Sequence, residues 1–197
     1  MRALVEAQTG LDVRAVVSNR PDAAGLQWAK AKGIPTSVVD HREFTDREGF
    51  DAALAKAIGD PDAVLLAGFM RILTAGFIER FRNRMLNIHP SLLPAFPGLH
   101  THRQALAAGV KVHGCTVHFV TPTLDNGPIV IQGAVPVHAQ DTEQTLAARV
   151  LETEHRIYPQ AARWLAQDRL RITEHGSVEV TGAPSAAQSL VSPPADR

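Results

Sequence analysis

Residues 63–90 read AVLLAGFMRILTAGFIERFRNRMLNIHP, and the pattern of this stretch decides the fold. The apolar run at 63–67 ends at a glycine and predicts a buried strand. Residues 74–81 have the apolar spacing of a helix. A second apolar run at 85–88 is stopped by Pro90, which cannot donate to a sheet. Strand, helix and strand in this order predict a βαβ unit with parallel strands.

The same alternation extends in both directions along the chain. Together the segments predict an α/β fold, an open and mostly parallel Rossmann-like sheet flanked by helices. In such sheets ligands bind beyond the carboxyl ends of the strands. The remaining predicted helices are 1–8, 25–32, 47–58 and 142–165, the last capped by Asp141 or Thr142, and the remaining strands are 13–17, 36–39, 115–120 and 129–137.

Length and composition indicate one domain. The 197 residues suit a single domain, which we place at 1–182. Residues 183–197 are rich in Ala, Ser and Pro and predict a disordered tail. Lys+Arg and Asp+Glu number 20 each, so the balance argues against a general nucleic-acid or membrane surface.

The cysteine content and the apolar runs bear on the compartment. With one cysteine, Cys115, no disulfide can form within the chain, which is typical of a reducing cytoplasm. We interpret Cys115 as a small buried hydrophobe. The apolar runs are too short to span a bilayer, and Glu6 interrupts the N-terminal one, so neither an anchor nor a signal peptide is expected.

Polar residues cluster at the end of the strand predicted at 85–88. Asn87 and His89 point to the same side of a strand, and Pro90 puts both at its carboxyl end. An amide beside an imidazole can donate to a developing oxyanion. Asp125 lies in a turn, and a carboxylate near His89 would favour the imidazolium form. The spacing alone leaves a structural role open, and it does not show that Asp125 meets His89.

Four separated segments occur in the order found in one enzyme family. They are Ala67–Leu73 (AGFMRIL), Asn87–Leu106 (NIHPSLLPAFPGLHTHRQAL), His113–Val120 (HGCTVHFV) and Leu124–Gln132 (LDNGPIVIQ). These segments resemble the phosphoribosylglycinamide formyltransferases, and the likeness runs from Met1 to about residue 173. The resemblance implies the formyltransferase fold. It also implies transfer of a formyl group from 10-formyltetrahydrofolate to the amine of glycinamide ribonucleotide in purine synthesis.

The resemblance assigns roles to individual residues. It implies that Asn87 and His89 stabilise the tetrahedral oxyanion, that His89 donates a proton, and that Asp125 holds His89 charged. It implies no metal and no nucleotide cofactor. The folate contacts that it implies are Arg47, Met70, Arg71, Ile72, Leu73, Asn87, Leu124 and Asp125, and the implied ribonucleotide-site residues are Met70, His100, His102 and Glu154.

The sequence also departs from the family pattern. The family begins with an apolar strand and a glycine-rich loop that cradles the substrate phosphate at a helix N-terminus. Here Met1 already falls inside the helix that follows, and we expect the true start to lie upstream. Without that first strand, two neighbouring strands would have unpaired edges.

Other functions remain open. Formyltetrahydrofolate deformylase has the same Asn, His and Asp set, but the HPSLLPAFPGLHTH sequence after His89 favours the transferase. Methionyl-tRNA formyltransferase would need a further basic domain. A folate-binding module without catalysis is also compatible with the sequence. So is assembly of the protein into a homodimer. A zinc site formed by His100 and His102 with His113 or His118 lacks a recognisable ligand spacing.

Overall fold

A computed structural model describes residues 1–7 and 9–183. The predicted tail at 183–197 therefore lies outside the described residues, except for Ala183. Among the described residues, no helix combines the length and apolar character needed to cross a membrane.

The chain forms six α-helices and eight strands over the described residues. The helices are α1 (Arg2–Glu6), α2 (Ala24–Ala31), α3 (Arg47–Ile58), α4 (Ala75–Arg80), α5 (Thr101–Ala108) and α6 (Glu143–Ala166), with a 3₁₀ turn at His41–Glu43. The strands are β1 (Val16–Ser18), β2 (Thr36–Val38), β3 (Val64–Leu66), β4 (Met85–His89), β5 (Val112–Phe119), β6 (Ile129–Pro136), β7 (Leu170–Ile172) and β8 (Val178–Val180).

The strands form three hydrogen-bonded groups. β1 pairs with β2 in parallel, β3–β4–β5–β6 form the main sheet, and β7 and β8 form a hairpin. In the main sheet β3 and β4 are parallel, whereas β5 is antiparallel to both β4 and β6. In the part of the chain that the structure describes, no strand pairs with the free edges of β1 and β3.

Most of the predicted elements are confirmed, and so is the α/β class. The βαβ unit at 63–90 forms as β3, α4 and β4. The hydroxyl of Thr142 caps α6 by accepting from the Thr145 N–H. The main differences from the prediction are that β1 begins only at Val16 and β5 already begins at Val112. In addition, neither helix α5 nor the β7–β8 hairpin was predicted.

Helices cover both faces of the main sheet, and their packing fixes the position of the end of β4. On one face α3 and α4 bury a cluster that includes Phe50, Phe77 and Met85. On the other face Tyr158 of α6 is buried, and its hydroxyl donates to the carbonyls of Leu66 (2.8 Å) and Leu86 (3.0 Å). The single hydroxyl proton is shared between the two carbonyls, so together these contacts contribute about 1 kcal/mol. They tie the ends of β3 and β4 to α6, next to Asn87.

The turn between β5 and β6 depends on a glycine. A Cβ built at Gly127 would lie 1.7 Å from the carbonyl oxygen of Phe119, which no side chain can tolerate. The preceding Asp125 adopts a left-handed conformation, with φ 49°. Asp is among the few residues that adopt this conformation readily. The LDNG sequence therefore forms a tight turn that holds the Asp125 carboxylate against the end of β4.

Candidate active site

The candidate site lies at the carboxyl end of β4. Asn87 and His89 are two residues apart on this strand and lie on one side of it, as predicted. Asn87 is adjacent to Leu66 on β3 and directly opposite His118 on β5. The site is therefore framed by three adjacent strands.

The structure brings His89 and Asp125 together. His89 Nδ1 lies 3.6 Å from Asp125 Oδ1, and the two side chains are only 7% and 8% exposed. The other ring nitrogen, Nε2, donates to the carbonyl of Phe96 at 3.2 Å. An imidazolium therefore has an acceptor facing each ring nitrogen. Both side chains are shielded from water, so the carboxylate acts on the ring more strongly than it would at the surface.

Asp125 also fixes the segment that follows His89. Its second carboxylate oxygen, Oδ2, accepts from the Gly98 N–H at 2.8 Å. The same segment carries the Phe96 carbonyl that accepts from His89. One carboxylate thus holds both the ring and the loop that contacts the ring.

His118 orients the side chain of Asn87, although the sequence indicated no catalytic role for it. The amide nitrogen Nδ2 of Asn87 donates to His118 Nε2 at 3.3 Å. His118 Nδ1 donates to the carbonyl of Phe119 at 2.9 Å, which leaves Nε2 as the acceptor. Burial is the main cause that lowers the pKa of His118, so the ring stays neutral and keeps this role. Asn87 retains a second N–H that can reach a ligand oxygen.

A mostly apolar pocket opens beside Asn87 and Asp125. Six of the predicted site residues line it, namely Asn87, Asp125, Arg71, Ile72, Leu73 and Leu124. Ile78, Val120 and His118 are among the other residues that line it. Mostly apolar walls with a few polar groups are typical of small-molecule binding sites.

Other predicted site residues lie outside the lining of this pocket. Met70 is 71% exposed, and Arg47, the first residue of α3, is also exposed. His100 is exposed at the start of α5, in a left-handed conformation. Glu154 lies on α6 and is partly buried, and burial raises its pKa to about 7 against the opposing charge of the Met1 amino group. The described structure therefore places Glu154 near α1.

His102 packs against His113 and not against the pocket. Their ring centroids are 5.3 Å apart and their ring planes are nearly perpendicular. The ring of Phe96 also packs against His113, with the two ring centroids 5.9 Å apart. Residues 1–7 and 9–183 contain no group of three His, Cys, Asp or Glu side chains placed to hold a metal ion. Cys115 is fully buried and burial raises its pKa to about 12, which confirms its interpretation as a buried hydrophobe.

Burial of His113 predicts a loss of stability in acid. The pKa of His113 is lowered from 6.5 to about 4, chiefly by burial and then by the neighbouring His102. Below pH 6.5 the unfolded chain binds a proton that the folded chain does not, so stability is full above that pH and falls towards pH 4. We expect His113 to account for a loss of about 2 kcal/mol between roughly pH 7.5 and pH 5.

This prediction can be checked by urea denaturation of the parent and of His113→Leu at both pH values. The substitution should make the difference between the two pH values smaller by about 2 kcal/mol. His175→Leu, which alters an exposed histidine, should behave as the parent does. Equal acid sensitivity in the parent and in His113→Leu would contradict the assignment.

The arrangement defines a class of site before any comparison is made. It offers amide and imidazole donors, a buried carboxylate beside the imidazole and an apolar pocket. No serine or cysteine nucleophile is needed for such a site to stabilise an oxyanion and move a proton. These are the requirements of acyl-group transfer between two bound substrates.

Comparison with known proteins defines the family. Residues 1–162 match the family model described as formyl transferase. The chain is 50% identical over 167 residues to a phosphoribosylglycinamide formyltransferase of Escherichia coli K12, covering 84% of this chain and 79% of that protein. The chain therefore belongs to the formyl transferase family and, within it, to the phosphoribosylglycinamide formyltransferases.

The solved structures agree with this assignment. The crystal structure of glycinamide ribonucleotide transformylase 1 from Symbiobacterium toebii superposes with a TM-score of 0.86 at 47% identity, over 91% of this chain and 87% of that chain. A formyltetrahydrofolate deformylase from Pseudomonas syringae shares the fold at a TM-score of 0.83 but is only 28% identical, over 91% of this chain and 61% of that chain. The resemblance inferred from the sequence is confirmed.

Proposed function

We propose that the protein transfers a formyl group from 10-formyltetrahydrofolate to the amine of glycinamide ribonucleotide, a step of purine biosynthesis. The observation that carries the proposal is the buried His89–Asp125 pair, beside Asn87, at the edge of an apolar pocket. The similarity to phosphoribosylglycinamide formyltransferases over most of the chain supports the choice of substrates.

The site residues have distinct roles in this reaction. As the substrate amine forms its bond to the formyl carbon, negative charge develops on the formyl oxygen. The free N–H of Asn87 donates to that oxygen, and so does the Nε2–H of the His89 imidazolium, which exchanges the Phe96 carbonyl for the ligand. His89 then supplies the proton that the leaving folate nitrogen needs when its bond to the formyl carbon breaks, and it regains a proton from the amine. Asp125 keeps His89 charged between these events.

The pocket supports the assignment of the folate site. Arg71, Ile72, Leu73 and Leu124 would hold the pterin, and Arg47 and Met70 would contact the folate from outside the pocket lining. His100, His102 and Glu154, together with Met70, remain proposed contacts of the ribonucleotide. We further propose that residues 1–182 form the formyltransferase domain and that the enzyme acts in the cytoplasm.

The substrate dependence of formyl release tests the proposal. Purified protein would be incubated with 10-formyltetrahydrofolate, with and without glycinamide ribonucleotide, and tetrahydrofolate and formylated ribonucleotide would be measured. We expect product only when the ribonucleotide is present. Formate release without it would instead indicate the deformylase reaction. Folate binding without release of the formyl group would indicate a non-catalytic folate-binding module.

A further inference from the structure

A loop between β3 and α4 forms one wall of the pocket. It runs from Gly68 to Leu73, between β3 and α4, and carries the pocket residues Arg71, Ile72 and Leu73. Within the described parts of the chain, none of its main-chain groups forms a hydrogen bond. Its main-chain donors and acceptors are therefore free for a ligand, but the position of the loop must be set at its two ends.

Each end of the loop is held by a buried side chain from a helix. Before the loop, the Tyr158 hydroxyl donates to the carbonyl of Leu66. After it, the Thr74 N–H donates to Asp51 Oδ2 on α3, at 2.6 Å. Asp51 is only 3% exposed, and Leu73 is buried beside it in the cluster that contains Phe50 and Leu54.

Asp51 is an unexpected residue for this position. A carboxylate in an apolar core is costly unless its oxygens are bonded. Among the residues that the structure describes, Oδ1 of Asp51 has no hydrogen-bond partner. An apolar residue would suit the core better, so the tether to Thr74 is the contribution that only a polar side chain makes here. Arg47, a proposed folate contact, lies one turn earlier on the same side of α3.

We propose that Asp51 is a positioning residue that sets the pterin-facing loop at Gly68–Leu73. This inference rests on the proposed function, because it takes the folate as the ligand of that pocket. Asp51 acts through Thr74 and touches neither substrate. Without the tether, only the loop end held by Tyr158 stays fixed. Part of the folate binding free energy is then used to order the loop, so the affinity for folate falls.

The test separates folate affinity from turnover. Binding of 5-formyltetrahydrofolate, a stable probe, would be measured by calorimetry, alongside kcat and KM for each substrate. Asp51→Leu should weaken folate binding and raise the folate KM about tenfold, while kcat and the ribonucleotide KM change less than about twofold. Asp51→Asn keeps an acceptor for Thr74 and should restore affinity to within about threefold of the parent.

A matched control distinguishes positioning from stability. Leu54→Ala empties part of the same core, three residues further along α3, and should lower Tm without changing folate affinity. If Asp51→Leu does not fold, variants of Thr74, whose N–H is the donor to Asp51, supply the comparison. Thr74→Pro removes the N–H at a φ of −72° that proline accepts, and Thr74→Ala keeps the N–H while removing the capping hydroxyl.

The outcomes divide clearly. Weaker folate binding in Asp51→Leu, or in Thr74→Pro relative to Thr74→Ala, with rescue by Asp51→Asn, supports the proposal. Unchanged folate affinity in these variants, or an equal loss in Leu54→Ala, overturns it even if the parent transfers formyl groups normally. A parent that binds the probe but transfers no formyl group overturns the proposed function and leaves the binding comparison decisive. A parent that does not bind the folate overturns both.

Discussion

Replacing His89 with alanine should lower kcat for formyl transfer by about 10³-fold, because positioned proton transfer contributes roughly 10²–10⁴-fold to rates. His89 is the residue at the strand end that can both donate to the oxyanion and release a proton. Its ring is held on both sides, by Asp125 at 3.6 Å and by the Phe96 carbonyl at 3.2 Å. The loss should fall on kcat, while folate binding changes little because His89 does not line the pocket.

A second substitution separates chemistry from structure. His89→Gln keeps an N–H for the Phe96 carbonyl but cannot carry a transferable proton near neutral pH. We expect it to be nearly as slow as His89→Ala. His138→Ala, at an exposed histidine after β6, serves as the control and should match the parent. Turnover by His89→Gln within about tenfold of the parent would show that His89 acts only as a structural donor.

The sequence predicts the fold well where local pattern determines structure. The strand, helix and strand at 63–90 are decided by apolar runs and by the stops at Gly68 and Pro90, so their prediction needed no long-range contact. Helix α5 was not predicted. Its apolar face is short, and His100, the residue before it, adopts a left-handed conformation, which is unusual for a residue other than glycine.

The site is predictable only in part, because several of its contacts join distant parts of the chain. Asn87 and His89 share a face through strand periodicity, which spacing reveals. His118 supports Asn87 only through the register of β4 against β5, and nothing in the local sequence fixes that register. The available signal was the presence of three polar residues, His113, Thr116 and His118, in the strand-like run His113–Phe119.

Main-chain partners are harder still to predict. The Phe96 carbonyl and the Gly98 N–H contact the His89–Asp125 pair because the chain doubles back after Pro90. Such groups are present in every residue, so their use leaves no mark in the sequence. Asp51 was missed for a related reason, since a charge on a predicted helix is by default expected to face solvent.

Replacing Asp125 with asparagine should lower kcat about 10²-fold, since removing one electrostatic support of a transition state costs about this much. The amide keeps an acceptor for the Gly98 N–H, so the loop after His89 should stay in place. What disappears is the negative charge 3.6 Å from His89 Nδ1. A neutral amide does not offset positive charge on the His89 ring during proton transfer in a buried site, so the transition state loses this support.

Comparison of Asp125→Asn with Asp125→Ala separates the charge of the carboxylate from its contact with the loop. Asp125→Asn removes the charge and keeps the Gly98 contact, so its loss should fall on kcat. Asp125→Ala removes the charge and also the Gly98 contact, so it should add a rise in KM to the fall in kcat. If Asp125→Asn keeps the kcat of the parent while Asp125→Ala does not, the carboxylate acts by holding the Gly98 loop and not through its charge.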